Sequence, residues 1–245
     1  MKKILISFGF LALLISCEPE VVCTNTCENK HIRNIDDNGL YSKIEYDNEN
    51  RQIFYKTALD TVITYNYLSG NGSIKNKLLS TTFTTDDEIL PDAELVVTSS
   101  TTGENIGGLA TLPVERTYTY DAAGRVLTLV EKQGKVLVTS NYTWLTGNLT
   151  KIVTTRNAGT PLSKTTTFTY YSDVINSIST EFQGLKIFGI TSYNAPKTMT
   201  VVATGLPITT TIFVYGIDEC GCITHATISG ASTASREYYY EKIPE

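Results

Sequence analysis

From residue 41 onward, apolar and polar positions alternate along the chain with the two-residue period of β-strands. The clearest stretch is residues 118–130, where aromatic residues alternate with Thr up to Asp121, four turn residues follow, and alternation resumes at Arg125. No long apolar stripe with the 3.6-residue period of a helix appears beyond the N-terminal segment. The pattern predicts an all-β fold of strands joined by tight turns.

The strand–turn–strand unit is repeated. Residues 46–51 (YDNENR) match residues 120–125 (YDAAGR) position by position. The fifth position is Asn in one unit and Gly in the other, the two residue types that most readily take the left-handed conformation such a turn needs. The Asp at the second position can accept a backbone N–H two residues later. Less similar copies of the unit occur at residues 67–72, 144–148, 170–173 and 215–218.

The spacing of these units is about two strands with their turns, which predicts a long antiparallel meander forming a curved or barrel-like sheet. The alternation is interrupted by an acidic connection (86–92), a Gly-rich stretch (102–113) and residues 184–196. These three interruptions are the candidates for functional loops. We predict strands near residues 41–47, 51–57, 61–68, 74–84, 94–100, 114–121, 125–132, 135–144, 148–156, 163–171, 175–182, 197–204, 208–215, 222–229 and 235–242.

The first 16 residues have the pattern of a signal peptide. Lys2 and Lys3 precede an apolar run at residues 4–15 that is too short to span a bilayer. The next residues, LISC, resemble a bacterial lipobox, so we predict cleavage before Cys17 and acylation of this cysteine, for example with palmitate. The alternative is an ordinary secretory signal with a coincidental cysteine. Several acyl chains would make a firm membrane anchor. The predicted organisation is signal peptide 1–16, lipidated tether 17–40 and β-repeat domain 41–245.

Charge narrows the choice of partners. Removing Lys2 and Lys3 with the signal peptide leaves 18 basic residues against 25 acidic ones, a formal charge of −7. This excess of acidic residues argues against nucleic acid as a partner and against simple adhesion to anionic lipid. The predicted membrane contact is therefore the acylated Cys17.

Four further cysteines are Cys23 and Cys27 in the tether and Cys220 and Cys222 in the last repeat. In an oxidising envelope an even set predicts disulfides. Pairing the tether with the last hairpin would close a loop of nearly 200 residues, worth about 5 kcal/mol in the chain-entropy model. The alternatives are thiols, a reducible link within the last pair, and a metal site. The metal alternative comprises Cys23, Cys27, His31, Cys220, Cys222 and His225.

No catalytic pattern is evident. The Gly-x-Ser-x-Gly motif is absent, and only His31 or His225 could act as an imidazole base. The acidic residues at 86–92 lack the EF-hand pattern for calcium. We therefore predict neither enzymatic activity nor a cofactor. Asp60-Thr61-Val62 resembles the Bacteroidota O-glycosylation sequon, which makes Thr61 a candidate for glycosylation.

Three features together resemble a known family: the Tyr-Asp hairpins, residues 188–198 (FGITSYNAPKT) and the closing YYYE at 238–241. They are similar to Bacteroidota outer-membrane lipoproteins of unknown function, in the domain-of-unknown-function family described as porin-like in fold. The hairpins also resemble the tyrosine–aspartate repeats of Rhs-type secreted proteins. The resemblance covers residues 41–245. It implies a curved antiparallel sheet or barrel, lipid-anchored at the outer membrane on the periplasmic or cell-surface side, and no catalytic residues.

Three functions compete. Strands such as residues 163–171 carry too many Lys and Thr for a lipid-facing wall, so we expect a soluble domain attached to lipid. The first function is a binding or scaffold module that contacts a glycan or envelope protein through an aromatic sheet or loops. The second is a carrier of an apolar ligand, and the third is an unrecognised envelope enzyme. A concave apolar face would favour the carrier, a flat exposed aromatic strip the binding module, and a cleft with carboxylates or His225 the enzyme.

Overall fold

The computed structural model describes residues 30–57, 62–68, 71–78, 81–90, 95–102, 112–157, 162–179, 185, 189–230 and 232–242. Within these ranges the chain forms strands and turns, and no helix is present that is long and apolar enough to cross a membrane. The strands are β1 (Lys30–Asp37), β2 (Leu40–Tyr46), β3 (Gln52–Lys56), β4 (Val62–Leu68), β5 (Asn71–Leu78), β6 (Thr81–Leu90), β7 (Leu95–Thr101), β8 (Val114–Tyr120), β9 (Val126–Gln133), β10 (Val136–Leu145), β11 (Asn148–Arg156), β12 (Leu162–Ile175), β13 (Asn194–Ala203), β14 (Thr209–Ile217), β15 (Ile223–Ser229) and β16 (Thr233–Lys242).

All strand pairs are antiparallel, and each strand pairs with its neighbours in the sequence. β1 pairs with β2 on one side and with β16 on the other. The described strands therefore form one sheet that closes into a barrel, with the strands in sequence order. The predicted all-β antiparallel meander is confirmed.

The sheet begins earlier than the sequence predicts. Residues 30–37, which the sequence analysis placed in the tether, form β1, where Ile35 pairs with Ser42 on one side and Tyr238 on the other. A bulge between Ile32 and Asn34 puts the two apolar residues of this strand three positions apart. That spacing hides the strand from a search for two-residue alternation.

Two further differences concern a predicted break in the sheet, the acidic connection, and a predicted strand at 175–182. Residues 86–90 of the acidic connection belong to β6. β12 runs unbroken to Ile175, and residues 176–179 form a turn where a separate strand at 175–182 was predicted. The prediction of a strand was wrong for its described part, because the N–H groups of Ser177 and Ser179 bond locally to Ile175 O and Asn176 O and so form a turn. Residues 180–182 of the predicted strand lie outside the described residues.

The two faces of the barrel wall differ in burial. In β14, Phe213 and Tyr215 are half-buried, whereas Ile212 and Val214 between them are exposed. Cross-strand pairing extends the more buried face around the sheet; Tyr215, for example, pairs with buried Ala226 in β15. Because the sheet is closed, this more buried face is the inner one.

The hydrophobic core lies where the barrel closes. It is formed by buried side chains of β1, β2, β13, β15 and β16, with Val174 and Ile178 packed against them. A sixteen-stranded wall encloses more space than its own side chains fill. The segment after β12 therefore contributes to the core through Ile178. The buried members are Ile32, Ile44, Ala195, Ile223, Ala226 and Tyr238.

Successive turns of a meander lie at alternate ends of the barrel. The connections after the even-numbered strands, residues 47–51, 121–125, 146–147, 176–193 and 218–222, share one end with the start of β1. We call it the capped end, because described residues near the end of the connection 176–193 (the cap segment) contact the other turns there, as described below.

Candidate functional site

The repeated Tyr-Asp unit builds a turn held by its own aspartate. Asp121 Oδ1 accepts the backbone N–H groups of Ala123 at 2.9 Å and Arg125 at 3.0 Å. Gly124 has φ +79°, in the left-handed region. The turn at Asp47 repeats these contacts, with the Asn at the fifth position also at positive φ. The predicted turn chemistry is confirmed.

An ion pair completes each turn. Arg125 Nε lies 2.7 Å from Asp121 Oδ2. Partial burial acts to raise the pKa of Asp121, but hydrogen bonds from the Arg125 side chain and backbone outweigh it and hold the pKa below the ordinary 3.8. The pKa of Asp47 is lowered in the same way, by Arg51. These carboxylates are committed to the turn and do not form a reactive site.

The third turn of this type carries a cysteine in place of the arginine. Asp218 Oδ1 accepts the N–H groups of Cys220 at 3.0 Å and Cys222 at 2.8 Å, and Gly221 has φ +82°. Cys222 is fully buried and disulfide-bonded, whereas Cys220 is half-buried and has a thiol. Which cysteine bonds to Cys222 stays a prediction. The sequence did not predict this equivalence, because the last repeat unit was matched at Tyr215, three residues before Asp218, and not at Ile217, which directly precedes it.

Six of the even-numbered strands whose side chains the structure describes carry an inner-face aromatic side chain towards the capped end, a set that we call the aromatic collar. Each polar tip donates a hydrogen bond of 2.5 to 2.8 Å to a backbone carbonyl near the start of the preceding strand. Because the tips are satisfied in this way, the rings offer apolar surface. The pairs are Tyr46 to Ile32, Tyr67 to Gln52, Tyr120 to Val96, Trp144 to Val126, Tyr170 to Leu149 and Tyr240 to Ile223.

Arginines of the turns reinforce the collar. The guanidinium of Arg51 lies 4.6 Å from the ring centroid of Tyr67, and that of Arg125 lies 5.6 Å from the centroid of Trp144. Each arginine therefore links the aspartate of its own turn to the aromatic residue that ends the next even-numbered strand. The repeated sequence unit thus connects one hairpin to the next.

The cap segment is hydrogen-bonded to the turns beside it. Ile190 N–H donates to Gly124 O at 3.0 Å, and Tyr193 N–H donates to Gly147 O at 3.2 Å. Ser192 Oγ accepts the N–H of the β11 residue Leu149 at 3.0 Å. These bonds hold the described end of the cap segment against the β8–β9 and β10–β11 turns.

The other end of the cap segment is anchored by Ser177. This residue is fully buried, and its Oγ accepts the Ile223 N–H at 2.8 Å. The Tyr240 hydroxyl lies 3.1 Å from the same oxygen. Burial raises the pKa of Tyr240, so this hydroxyl stays protonated at neutral pH. The cap segment is thereby fixed to β15 and β16 as well as to the turns described above.

A cavity of about 250 Å³ lies between the cap segment and the inner wall. Several polar atoms on its lining are used internally: the Asn176 amide donates to Ser192 O at 3.1 Å, and the tips of Trp144 and Tyr170 bind backbone carbonyls. Burial raises the pKa of Tyr142, which therefore stays neutral. The lining residues are Val126, Tyr142, Trp144, Leu149, Phe168, Tyr170, Asn176, Ile190, Thr191, Ser192 and Pro196.

This lining suits the binding of an apolar group. The cavity volume is somewhat below the roughly 300–1,000 Å³ of pockets that take drug-sized ligands. A single ring or a stretch of acyl chain is therefore the appropriate size. Phe168, Leu149 and Pro196 offer contact surface without charge, and the segment 189–192 forms one wall. Residues 184–196, one of the three predicted breaks, thus contribute to this candidate site.

The predicted histidine–cysteine site does not come together in the described part of the chain. His225 pairs with Glu237 across the sheet, and its Nε2 lies 3.0 Å from Thr227 Oγ1. It follows Thr224 and precedes buried Ala226, so it lies on the outer face, away from Cys222. No group of three His, Cys, Asp or Glu side chains that could hold a metal occurs among the described residues.

Other predicted site residues fall outside the described ranges. They are the lipidation site, the two tether cysteines and the glycosylation candidate. The side chain of His31, although its backbone belongs to β1, is also outside what the structure describes. Their predicted roles stay predictions. The residues concerned are Cys17, Cys23, Cys27 and Thr61.

Comparison with known proteins addresses the fold. No protein-family model matches the chain, and no curated protein matches it. Among solved structures, it is similar to a porin-like protein from Bacteroides uniformis, with a TM-score of 0.61 and 14% identity over 89% of this chain and 98% of that one. A porin-like protein from Bacteroides vulgatus gives a TM-score of 0.61 and 14% identity over 86% and 99%. The chain therefore shares the fold of porin-like proteins from Bacteroides.

Proposed function

We propose that this protein is a non-enzymatic, lipid-anchored envelope protein that holds an apolar ligand inside its barrel. The anchor is the acylated Cys17 of the lipobox-like LISC, at the outer membrane on its periplasmic or cell-surface side. The ligand is a ring or acyl chain that enters the cavity beneath the cap segment. A carrier is the second of the three functions that the sequence suggests, and the geometry of the cavity favours it over the first, a binding module.

The cavity is the observation that carries this proposal. Aromatic and aliphatic side chains converge on it from five consecutive strands, β9 to β13. Trp144 and Tyr170 have their polar atoms bonded to carbonyls, so a polar ligand would find few groups to bind. An apolar ligand would instead be held by dispersion and exclusion of water.

The position of the tyrosines also supports a carrier. The binding module requires a flat exposed strip of aromatic rings. Of the tyrosines whose side chains the structure describes, the three most exposed are Tyr41, Tyr193 and Tyr239. Tyr41 and Tyr239 lie within hydrogen-bonding reach of each other across β1, and Tyr193 lies in the cap segment, so these rings form one pair and one single residue and not a strip. The stacked pairs, such as Tyr118 with Tyr120, lie on the inner face. Most aromatic surface therefore faces the barrel interior.

The outer face of β8 and β9 supports the proposal that the domain lies in water. Hydroxyl pairs bridge neighbouring strands on this face, as between Thr119 and Thr128 at 2.6 Å. Lys132 and Glu115, both more than half exposed, form an ion pair on the same side of the sheet. A lipid-facing wall would present an apolar band instead. The proposal therefore places the barrel in the aqueous envelope, held at the membrane by its anchor.

Native mass spectrometry of the chain purified from its own envelope tests the proposal. We expect a retained apolar ligand at a stoichiometric level. Val126→Phe fills the cavity and should abolish retention. Val130→Phe is the matched control, because this residue lies on the same strand but pairs with Thr117 and Thr139 on the outer face. It should retain the ligand.

A second readout covers a ligand lost during purification. Trp144 is the only tryptophan of the chain and lines the cavity, so it reports on this site alone. Energy transfer from Trp144 to N-phenylnaphthylamine should be saturable in the native chain and in Val130→Phe, and absent in Val126→Phe. If no ligand is retained and no saturable transfer occurs in the native chain, the proposal is wrong. Equal transfer in both variants would also overturn it.

A further inference from the structure

Two basic residues continue the inner wall beyond the cavity. Lys164 precedes the cavity residue Phe168 by four positions on β12, with buried Thr166 between them on the same face. Arg156 lies four positions after Ile152 on β11, and Ile152 pairs with the cavity residue Tyr142. Because side chains of a strand alternate between faces, both cations project to the face that lines the cavity.

The inner-wall carboxylate nearest in register is already paired. Glu131 and Arg156 both pair with Val138, one from each side. The Glu131 carboxylate is bound by Arg116 Nε at 3.1 Å, and Arg116 also donates to Thr101 Oγ1 at 2.9 Å. Glu131 is therefore committed to another arginine.

Arg156 has an unused hydrogen-bond donor. Its Nε is buried and has no hydrogen-bond partner among the described residues. A buried guanidinium N–H without a partner costs free energy, which an anionic ligand would recover. Lys164 is exposed, so an acidic group can reach this part of the wall from water.

We propose that the ligand is a single-chain amphiphile with an anionic head group, such as a fatty acid. Its apolar tail occupies the cavity, and its carboxylate binds Arg156 and Lys164. This inference rests on the proposed function and adds the ligand class and its orientation. Lys164 and Phe168 are about 13 Å apart along the strand. With carbon–carbon bonds of about 1.5 Å, a chain of roughly ten to fourteen carbons spans that distance.

The test uses quenching of Trp144 by bromine in the full chain, exchanged into an amphipathic polymer so that no detergent competes. The ligand ω-bromoundecanoic acid carries bromine at its tail and should quench Trp144 saturably. The α-bromo acid of the same length carries bromine at the head and should bind with little quenching. The alcohol ω-bromoundecanol should bind at least about tenfold more weakly than the acid, because it lacks the charge.

Variants assign the head group. Arg156→Gln and Lys164→Gln should each weaken binding of the acid about tenfold and leave binding of the alcohol unchanged. Lys164 is exposed, so its replacement does not endanger folding. Lys151→Gln removes a charge from the outer face of β11, where this residue pairs with Thr143 and Thr167, and should have no effect.

The outcomes separate this inference from the proposed function. If acid and alcohol bind equally tightly, or if the α-bromo acid quenches as strongly as the ω-bromo acid, the head-group assignment is wrong and the carrier proposal stands. If neither variant weakens binding of the acid, the assignment is also wrong. If none of these ligands quenches Trp144 and N-phenylnaphthylamine also fails to bind, the proposed function itself is wrong.

Discussion

Cys222 occupies in the β14–β15 turn the position that Arg125 holds in the β8–β9 turn. Each donates its backbone N–H to the aspartate four residues earlier, at 2.8 Å and 3.0 Å. The carbonyl of the following residue accepts a hydrogen bond from Tyr240 in one case and from Trp144 in the other, both at 2.7 Å. One turn geometry therefore serves both hairpins, and in the β14–β15 hairpin a buried sulfur takes the place of the guanidinium.

The turn aspartate should contribute measurably to stability. Asp121→Ala removes the acceptor of two backbone N–H groups and the partner of Arg125. We expect the free energy of unfolding to fall by about 2 kcal/mol, measured by denaturant unfolding followed through Trp144 fluorescence. Glu115→Ala is the control, because its ion pair with Lys132 is exposed, and should cost less than about 0.5 kcal/mol. Equal effects would contradict this role of Asp121.

The same aspartates predict how stability depends on acid. The pKa values of Asp47 and Asp121 are lowered in the folded chain, chiefly by their arginines once the opposing effect of burial is overcome. Their stabilisation is therefore complete above the unfolded pKa near 4 and is lost as the pH falls through the lower folded values. Unfolding measured between about pH 5 and pH 2 should show this loss.

The double variant Asp47→Asn, Asp121→Asn should be less stable at neutral pH and should lose less stability on acidification. Asp173→Asn, at an exposed position of β12, should leave the acid profile unchanged. A profile of the double variant parallel to that of the native chain would show that other carboxyl groups govern acid unfolding.

Local chemistry explains what the sequence could predict. The two-residue period locates strands, and an Asp followed three residues later by Gly or Asn specifies a turn that closes on its own side chain. Both determinants act within a few residues. The sequence alone therefore predicts the turns at Asp47 and Asp121 and the antiparallel meander.

The closure and the cavity depend on contacts between distant residues. Ser177 lies 46 residues from Ile223 and 63 from Tyr240 in the sequence, and no local sequence pattern predicts either hydrogen bond. The aromatic side chains of the collar donate hydrogen bonds to backbone carbonyls. Because every residue has such a carbonyl, the sequence does not show which one is bound. The break at 184–196 could be predicted, but not the cavity beneath it. In β1 the bulge at Arg33 concealed the strand that closes the barrel.

Alkaline pH should destabilise the barrel through its inner tyrosines. Burial, reinforced by neighbouring tyrosines, raises the pKa of Tyr215 well above its usual value of 10. The neutral form is thus favoured on folding; this stabilisation is complete below about pH 10 and is lost as the pH rises towards the folded pKa. Tyr215→Phe should reduce the loss of stability above about pH 10, measured by denaturant unfolding. Tyr193→Phe, whose side chain is exposed, should not.

The disulfide of Cys222 should join the β14–β15 turn to the tether. Digestion of the unreduced mature chain should give a peptide linking Cys222 to Cys23 or Cys27, with Cys220 alkylated. Cys222→Ser should lower the free energy of unfolding by up to about 5 kcal/mol, because the closed loop is nearly 200 residues long. Cys220→Ser should have a small effect. Alkylation of Cys222 without a reductant would exclude the link.

Gly189 should be essential for seating the cap segment. Its φ is +94°, and an added Cβ would lie 3.0 Å from Tyr120 Cε1 and 3.2 Å from Gly124 O. Gly205→Ala is a matched control, because Gly205 also has positive φ (+74°) but nothing within 4 Å of an added Cβ. We expect Gly205→Ala to cost about 1 kcal/mol from backbone strain alone, and Gly189→Ala at least about 1 to 2 kcal/mol more from the added steric conflict.

Displacement of the cap segment should also open the cavity. In Gly189→Ala we expect Trp144 emission to shift to longer wavelength and saturable binding of N-phenylnaphthylamine to weaken, while Gly205→Ala leaves both unchanged. Stability and cavity access are thus measured on the same pair of variants. If the two glycine variants have the same stability and the same probe binding, the cap segment does not depend on the close approach of Gly189 to Tyr120, and its role as the wall of the cavity is wrong.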